Sequence, residues 1–413
     1  VLLPTALRLT SLLTGVTLLL LGSGLLGTLL AIRGGQEGYS STALGLVMSA
    51  YFAGFLIGTH LAPRLVQRIG HIRAFSLFAS AASVVAILHG LALDPWAWAL
   101  GRVITGICLV GLYTVIESWL NAESPSALRG RVFALYMAIN LLALAAGQFL
   151  ILIADIGDLV LFAWVSILFS ASLIPVTLTR FGPPPLVMAV RVRLRELLLV
   201  APVGMAGAGV SGVMMGAFWG MGPLYAQQLG FDVPGVAVFM SLTVLAGAVL
   251  QWPLGLWSDR VDRRRVIALA SAGAAVAAVL AAAFTAPGWP VLLAMAVFGG
   301  FSFPIYSLAV AHLNDFIAPE QMLEAAAGLL MIYGVGAMIG PTLVGTMMRV
   351  AGPAAFPALL ALLGLALAGY AFWRLRIHRV SEHPQPFVAV VRTTPMALEL
   401  TQTPEQKPPP DAG

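Results

Sequence analysis

A dozen apolar runs, each at least about the 20 residues that an α-helix needs to cross a bilayer, follow one another along this chain, and they constrain its fold more than any other feature. Only short polar stretches separate them. In hydrocarbon every backbone N–H and C=O must find its partner inside the protein, which leaves helices or closed barrels. Runs this long and this uniformly apolar specify helices. Of 413 residues, 60% are hydrophobic and 9% charged, against roughly 25% charged in an ordinary soluble domain. A chain so poor in charge cannot clothe itself for water, and no polar stretch before the last 40 residues could form a separate catalytic domain. A water-soluble enzyme is excluded and an all-α integral membrane protein is expected.

Breaks at charges, Pro/Gly turns and polar clusters predict spans at 9–32, 42–62, 72–93, 96–120, 131–153 and 159–179, then at 197–222, 235–257, 266–286, 291–313, 326–348 and 353–373. The first run exceeds a signal-peptide core and lacks a small-x-small site before Arg33, so it reads as a retained helix. With both termini cytoplasmic, all 22 Lys and Arg except Arg33, Arg102 and Arg349 fall on the inner side, the asymmetry that orients helices during insertion. A multi-pass protein of the inner (plasma) membrane is the expectation. The same placement reads the net charge of +5 as topology rather than as a nucleic-acid surface. Lone Cys108 can form no intrachain disulfide. The polar segment with Pro183 to Pro185 and Arg191, Arg193 and Arg195 divides the chain. The predicted plan is a six-helix bundle at 1–180, a cytoplasmic linker at 181–196, a second bundle at 197–373 and a cytoplasmic tail at 374–413. That tail starts basic and ends Pro-rich, and disorder is expected after Pro384.

Sliding the chain on itself by 193 positions superposes Tyr113, Leu120 and Asn121 on Tyr306, Leu313 and Asn314, Gly106 on Gly299, and Gly147 on Gly340; at 192, Arg68 and Arg73 fall on Arg260 and Arg265. A nearly constant offset over several helices marks a duplicated six-helix unit, and duplicated halves meeting at the bilayer midplane are a transporter architecture. The loop after helix eight runs Gly255, Asp259, Arg260, Arg263, Arg264 in the pattern G-x-x-x-D-R-x-x-R-R. It resembles the cytoplasmic loop signature of the major facilitator superfamily. The first-half copy keeps Arg68, Gly70 and Arg73 but has Gln67 and Pro63 where the aspartate and first glycine would stand. Arg102 and Gly106 are similar to that superfamily's R-x-x-x-G segment in helix four. Gly336, Gly340 and Pro341 resemble a G-x-x-x-G-P element that drug antiporters carry in helix five, but here it lies in helix eleven.

The resemblance implies the major facilitator fold, twelve transmembrane helices in two pseudo-symmetric six-helix bundles. It also implies a cavity between the halves, lined mainly by helices one, four, seven and ten and opened alternately to each side. Helix four supports this independently: Arg102, Gly106, Tyr113 and Glu117 fall within about 60° of one face at 100° per residue, and ionisable groups at membrane depth usually face a cavity or a partner. Glu117 is the candidate proton-coupling group, since a partly desolvated carboxylate can exchange a proton near neutral pH. Gln148 in helix five needs a hydrogen-bond partner at that depth. Ser211, Met215 and Trp219 form a stripe on helix seven that could line the cavity, while Tyr113 and Tyr306 would flank it from both halves with Phe303 beside the latter. Gly204, Ala208, Gly212, Gly216 and Gly220 form the small-residue face by which helix seven packs.

The inner loops suggest a gate. Arg64 and Arg68 follow helix two without an acid between them, while Asp315, Glu320 and Glu324 join helices ten and eleven without a base. In the family the loop after helix two abuts helix eleven, and by pseudo-symmetry the loop after helix eight abuts helix five. The predicted latch therefore pairs Arg64 and Arg68 with Glu320 or Glu324. Asp259, beside Arg260, would pair with Arg129 or Arg131 when the inner side is closed. One Cys and six scattered His give no metal-site spacing, and there is no phosphate-binding G-x-x-x-x-G-K-[ST] loop. The function expected is a monomeric, cofactor-free, proton-coupled secondary transporter of a small organic solute, surrounded by membrane lipid and binding no nucleic acid. A lipid-translocating member of the same fold and a non-transporting receptor or regulatory subunit are the alternatives.

Overall fold

In a computed structural model the expected runs are helices; residues 2–125, 128–179, 184, 194–317 and 321–377 are described. Among the described residues twelve helical spans are long and apolar enough to cross a membrane. Spans one to six are Leu9–Gln36, Ser41–Ile69, His71–Leu91, Pro95–Glu123, Arg129–Ile153 and Val160–Leu178. Spans seven to twelve are Pro202–Leu229, Val233–Ser258, Arg263–Ala282, Trp289–Asn314, Glu324–Ala351 and Ala355–Leu375. There is no strand among the described residues.

In the first half span two packs on span four, span one on five and six, and span three on four and six. In the second half eight packs on ten, seven on eleven and twelve, and nine on ten and twelve. Every one of these pairings recurs six spans later, which is the duplication expressed as packing. The halves meet where span two lies on eleven and five on eight, two seams that the same pseudo-symmetry interchanges, and where one lies on seven.

Two pairs of repeat-related glycines explain why the internal packing is copied. A Cβ on Gly106 would overlap the Tyr51 carbonyl oxygen, and one on Gly299 would overlap that of Thr243, so spans four and ten can rest backbone to backbone on two and eight. Gly147 against Leu21 and Gly340 against Val213 do the same for spans five on one and eleven on seven. Small residues that admit a neighbouring backbone drive helix association in lipid, where burial of apolar surface supplies no force. Even the caps are copied. Ser40 Oγ accepts from Ala43 N at 3.2 Å to start span two, and Asp232 Oδ1 accepts from Gly235 N at 2.8 Å to start span eight.

Span seven departs from its expected bounds at both ends. Pro202 opens it, in the first helical turn where a missing N–H costs nothing. Pro223 fails to end it, because neighbouring helices can re-satisfy the backbone a proline frees in a membrane, and the helix runs on to Gly230 at φ 101°. Span ten is two helices, Trp289–Ser302 and Pro304–Asn314; Pro304 removes a rung of the hydrogen-bond ladder there. Most of the predicted linker and all of the tail after residue 377 lie outside the described residues. The linker's last part begins a short helix, Leu194–Val200.

Candidate substrate cavity

Between the halves a narrow cavity of about 50 Å³ is walled by spans one, two, four and five and closed on one side by Trp219 and Gly220 of span seven. Of the residues expected on it, Arg102, Tyr113, Gln148 and Trp219 are there. Arg102 is 8% exposed, and its guanidinium carbon sits 4.5 Å from the centroid of the Tyr51 ring, within cation–π range. That stacking follows from local sequence. Gly54 admits the Val103 carbonyl and Gly106 admits that of Tyr51, so spans two and four touch and the Tyr51 ring meets the arginine one turn from Gly106.

Gln148 has the partners that an amide at this depth requires. Its Nε2 donates to Leu144 O at 3.0 Å and to Gly24 O at 3.3 Å, and the Thr28 hydroxyl donates to its Oε1. The side chain therefore ties span five to span one and also lines the cavity. Ser23, Thr28, Tyr51 and Thr105 contribute to the wall and were not picked out from sequence. For Tyr51 a clue existed in Gly54, three residues on, which pairs with Gly106 as one small-residue contact between spans. Isolated hydroxyls such as Ser23 and Thr28 in an apolar run carry no such signal.

The remaining expected residues lie elsewhere. Glu117 is wholly buried, accepts a hydrogen bond from Tyr136 Oη at 3.0 Å, and does not belong to the cavity wall. Ser211 and Met215 are buried in span seven, outside that wall. Phe303 stands behind the cavity, 6.1 Å from Trp219 and 5.9 Å from Phe218 between ring centroids. Tyr306 packs 4.7 Å from Tyr333 and is not among the residues lining the cavity that Tyr113 faces. The small stripe of span seven packs as expected, with Gly212 and Gly216 against the backbone of span eleven.

At the end of the molecule that carries the arginine-rich loops, the signature after span eight fastens its own half together. Arg263 pairs with Asp315 at 2.8 Å and with Asp259 at 3.2 Å, and its NH1 donates to Ser258 Oγ at 3.1 Å. Arg264 pairs with Asp262 at 2.7 Å and donates to Arg374 O at 3.4 Å. Partial burial would raise the Asp262 pKa, but hydrogen bonds and charge from Arg264 outweigh it and hold the carboxyl below its usual range. Asp315, grouped by sequence with the acids facing the loop after span two, instead serves the loop after span eight, because span ten ends beside the start of span nine. Asp259 is tied to Arg263 of its own half, and among the described residues no ion pair joins Arg64 or Arg68 to Glu324. Arg64, Arg68, Arg131 and Arg260 are exposed, and Glu320 lies outside the described residues.

The opposite end is closed. Ser49 Oγ and Thr342 Oγ1 are 2.7 Å apart, Gln228 Nε2 donates to Ser41 Oγ at 3.3 Å, Gly45 abuts the Pro341 carbonyl, and Gly35 abuts Gln227 and Leu224. Spans one and two are thus pressed onto seven and eleven at that end.

Twin six-helix halves with one internal packing and a cavity at their seam define a polytopic membrane transporter rather than an enzyme. The sequence model of the Major Facilitator Superfamily matches residues 12–199 and 204–403, and the chain belongs to that family. It is 27% identical over 377 residues to the MFS-type transporter Ent638_1421 of Enterobacter sp. (strain 638), covering 91% of this chain and 96% of that one. It is 29% identical over 348 residues to the MFS-type transporter YcaD of Escherichia coli O139:H28, covering 82% and 88%. In structure it resembles the nucleoside transporter NupG, at TM-score 0.70, 15% identity, and 91% and 100% coverage. An inward-facing, unoccupied bacterial homologue of the human lysosomal transporter Spinster is also similar, at TM-score 0.70, 14% identity, and 98% and 99% coverage. These two likenesses establish a shared fold.

Proposed function

We propose that this protein is a secondary active transporter that carries a small organic solute by alternating access, with Glu117 coupling transport to protons and both termini in the cytoplasm. The observation that carries the reading is the cavity at the seam of the two halves, pinched shut at one end by Ser49, Thr342, Gly45 and Pro341. The two halves are copies, so a rocking motion that parts span two from eleven at this end brings their other ends together. In that second state Arg64 and Arg68 would meet Glu320 or Glu324, and Asp259 would meet Arg129 or Arg131. Glu117 sits roughly 22 Å along span four from Arg102 and is held by Tyr136 of span five. Span five in turn lies on span eight of the other half, so a proton gained or lost at Glu117 acts on a seam that must move.

Purified protein in proteoliposomes tests the coupling. A solute found by thermal-shift screening should accumulate under an imposed proton gradient with wild-type protein. With Glu117→Gln it should exchange across the membrane but not accumulate. Accumulation by the variant in full response to the gradient removes Glu117 from the mechanism. Crosslinks between spans two and eleven that leave flux unchanged remove alternating access.

A further inference from the structure

We infer that Ser49 and Ser241 are a repeat-related pair of gating residues, one on each seam between the halves, whose hydrogen bonds hold the outer end shut. This rests on the transporter reading, in which the outer end is the one opposite the arginine-rich loops, and names residues that control access to its cavity. The offset of 192 that carries Arg68 onto Arg260 also carries Ser49 onto Ser241. Ser49 lies in span two and meets span eleven: its Oγ is 2.7 Å from Thr342 Oγ1 and accepts from Thr342 N at 3.2 Å. Ser241 lies in span eight and meets span five, donating to Ala145 O at 2.8 Å. Each serine thus joins its own half to the other, across the two seams that the pseudo-symmetry interchanges.

Partner and depth set these serines apart. A hydroxyl inside a helix can bond the carbonyl one turn back on its own chain, as Thr105 does to Gly101 O and Thr243 to Phe239 O. Ser49 and Ser241, both buried, reach a helix of the other half instead. In span eleven the partner follows from sequence, because Pro341 disrupts the hydrogen-bond ladder in that turn and the next N–H, that of Thr342, turns to Ser49. Ser49 lies eight residues from Ser41, Ser241 eight from Val233, Ala145 eight from Ile153 and Thr342 nine from Ala351, the outer ends of their spans. At 1.5 Å per residue all four sit at one depth, roughly 12–14 Å inside. Their chain neighbours Met48 and Leu144 line the cavity, so opening the cavity to the outside parts both bonds.

A buried thiol reports how often the outer end opens. In a Cys108→Ala background, Leu224→Cys puts a thiol on span seven, where Leu224 is buried against Gly35 of the first half. Ala82→Cys, buried within the first half on span three, is the control. The purified full chain in lipid nanodiscs, without solute, is labelled with a water-soluble maleimide. Where reclosing outpaces labelling, the rate follows the open fraction. An interhelical hydrogen bond in a membrane is worth about a threefold change in equilibrium. Ser49→Ala and Ser241→Ala should each speed labelling of Leu224→Cys about threefold, and the double variant about tenfold, since effects at separate sites multiply. Labelling of Ala82→Cys should not change. Unchanged labelling of Leu224→Cys, a response to one serine only, or an equal rise at both thiols overturns the inference. Solute flux with unchanged labelling would sink the serine gate and leave the transporter reading standing. The expected labelling series in a protein that carries no solute would do the reverse.

Discussion

Replacing Gly106 by Ala adds a single methyl group, and the structure sets what it should cost. The new Cβ would fall 2.7 Å from Phe55 N and still closer to the Tyr51 carbonyl oxygen, both backbone atoms that no rotamer change can move. To reach the ordinary contact of 3.4 Å, span two must retreat from span four by at least 0.7 Å, the difference of the two distances. A radial gap of that size forfeits a quarter to a half of each dispersion contact it opens, and overpacked interiors lose about 1–3 kcal/mol. Gly369 is the control, since nothing lies within 4 Å of its added Cβ and Gly→Ala there should gain up to about 1 kcal/mol of helix propensity. The gap between the variants should therefore be about 1–4 kcal/mol. Scanning fluorimetry in one detergent should place Gly106→Ala several degrees below Gly369→Ala, and repeat-related Gly299→Ala should fall with it. Equal midpoints for Gly106→Ala and Gly369→Ala would refute the argument that backbone contact at these glycines holds each half together.

Asp315→Asn should destabilise the protein by about 1.5–3 kcal/mol, because it removes the shorter of the two ion pairs of nearly buried Arg263 and leaves the one with Asp259; replacing both by Met and Leu should recover much of that loss, measured by the same midpoints. Reversing either Arg68 or Glu324 alone should slow flux by weakening the state in which those ends meet, and reversing both should restore it. Failure of the double reversal to rescue flux would dismiss that latch.

The limits of sequence reading show in particular residues. Gly106 and Gly299, Gly147 and Gly340 were visible as a repeat, and each pair makes the same backbone contact in both halves. Pro304 was equally visible, yet whether it would end, bend or break span ten depended on neighbours that no linear pattern names. At the site, Arg102, Tyr113, Gln148 and Trp219 could be placed on the cavity, while Tyr51 emerged only once span two was known to cross span four at Gly54 and Gly106. Asp315 was misgrouped, because charge signs in loops tell which segments attract and not which lie within reach.

By itself the sequence determined the membrane as solvent, the helical class, the number of spans and their duplication. Each of these follows from local hydrophobicity and its recurrence, which one chain displays without folding. Tertiary structure alone decided that Arg102 faces the cavity and Glu117 does not, and that the seam is shut at one end. Helical periodicity assigns a residue to a face but leaves open which neighbour covers that face at each height, and the covering neighbour sets burial, charge pairing and access.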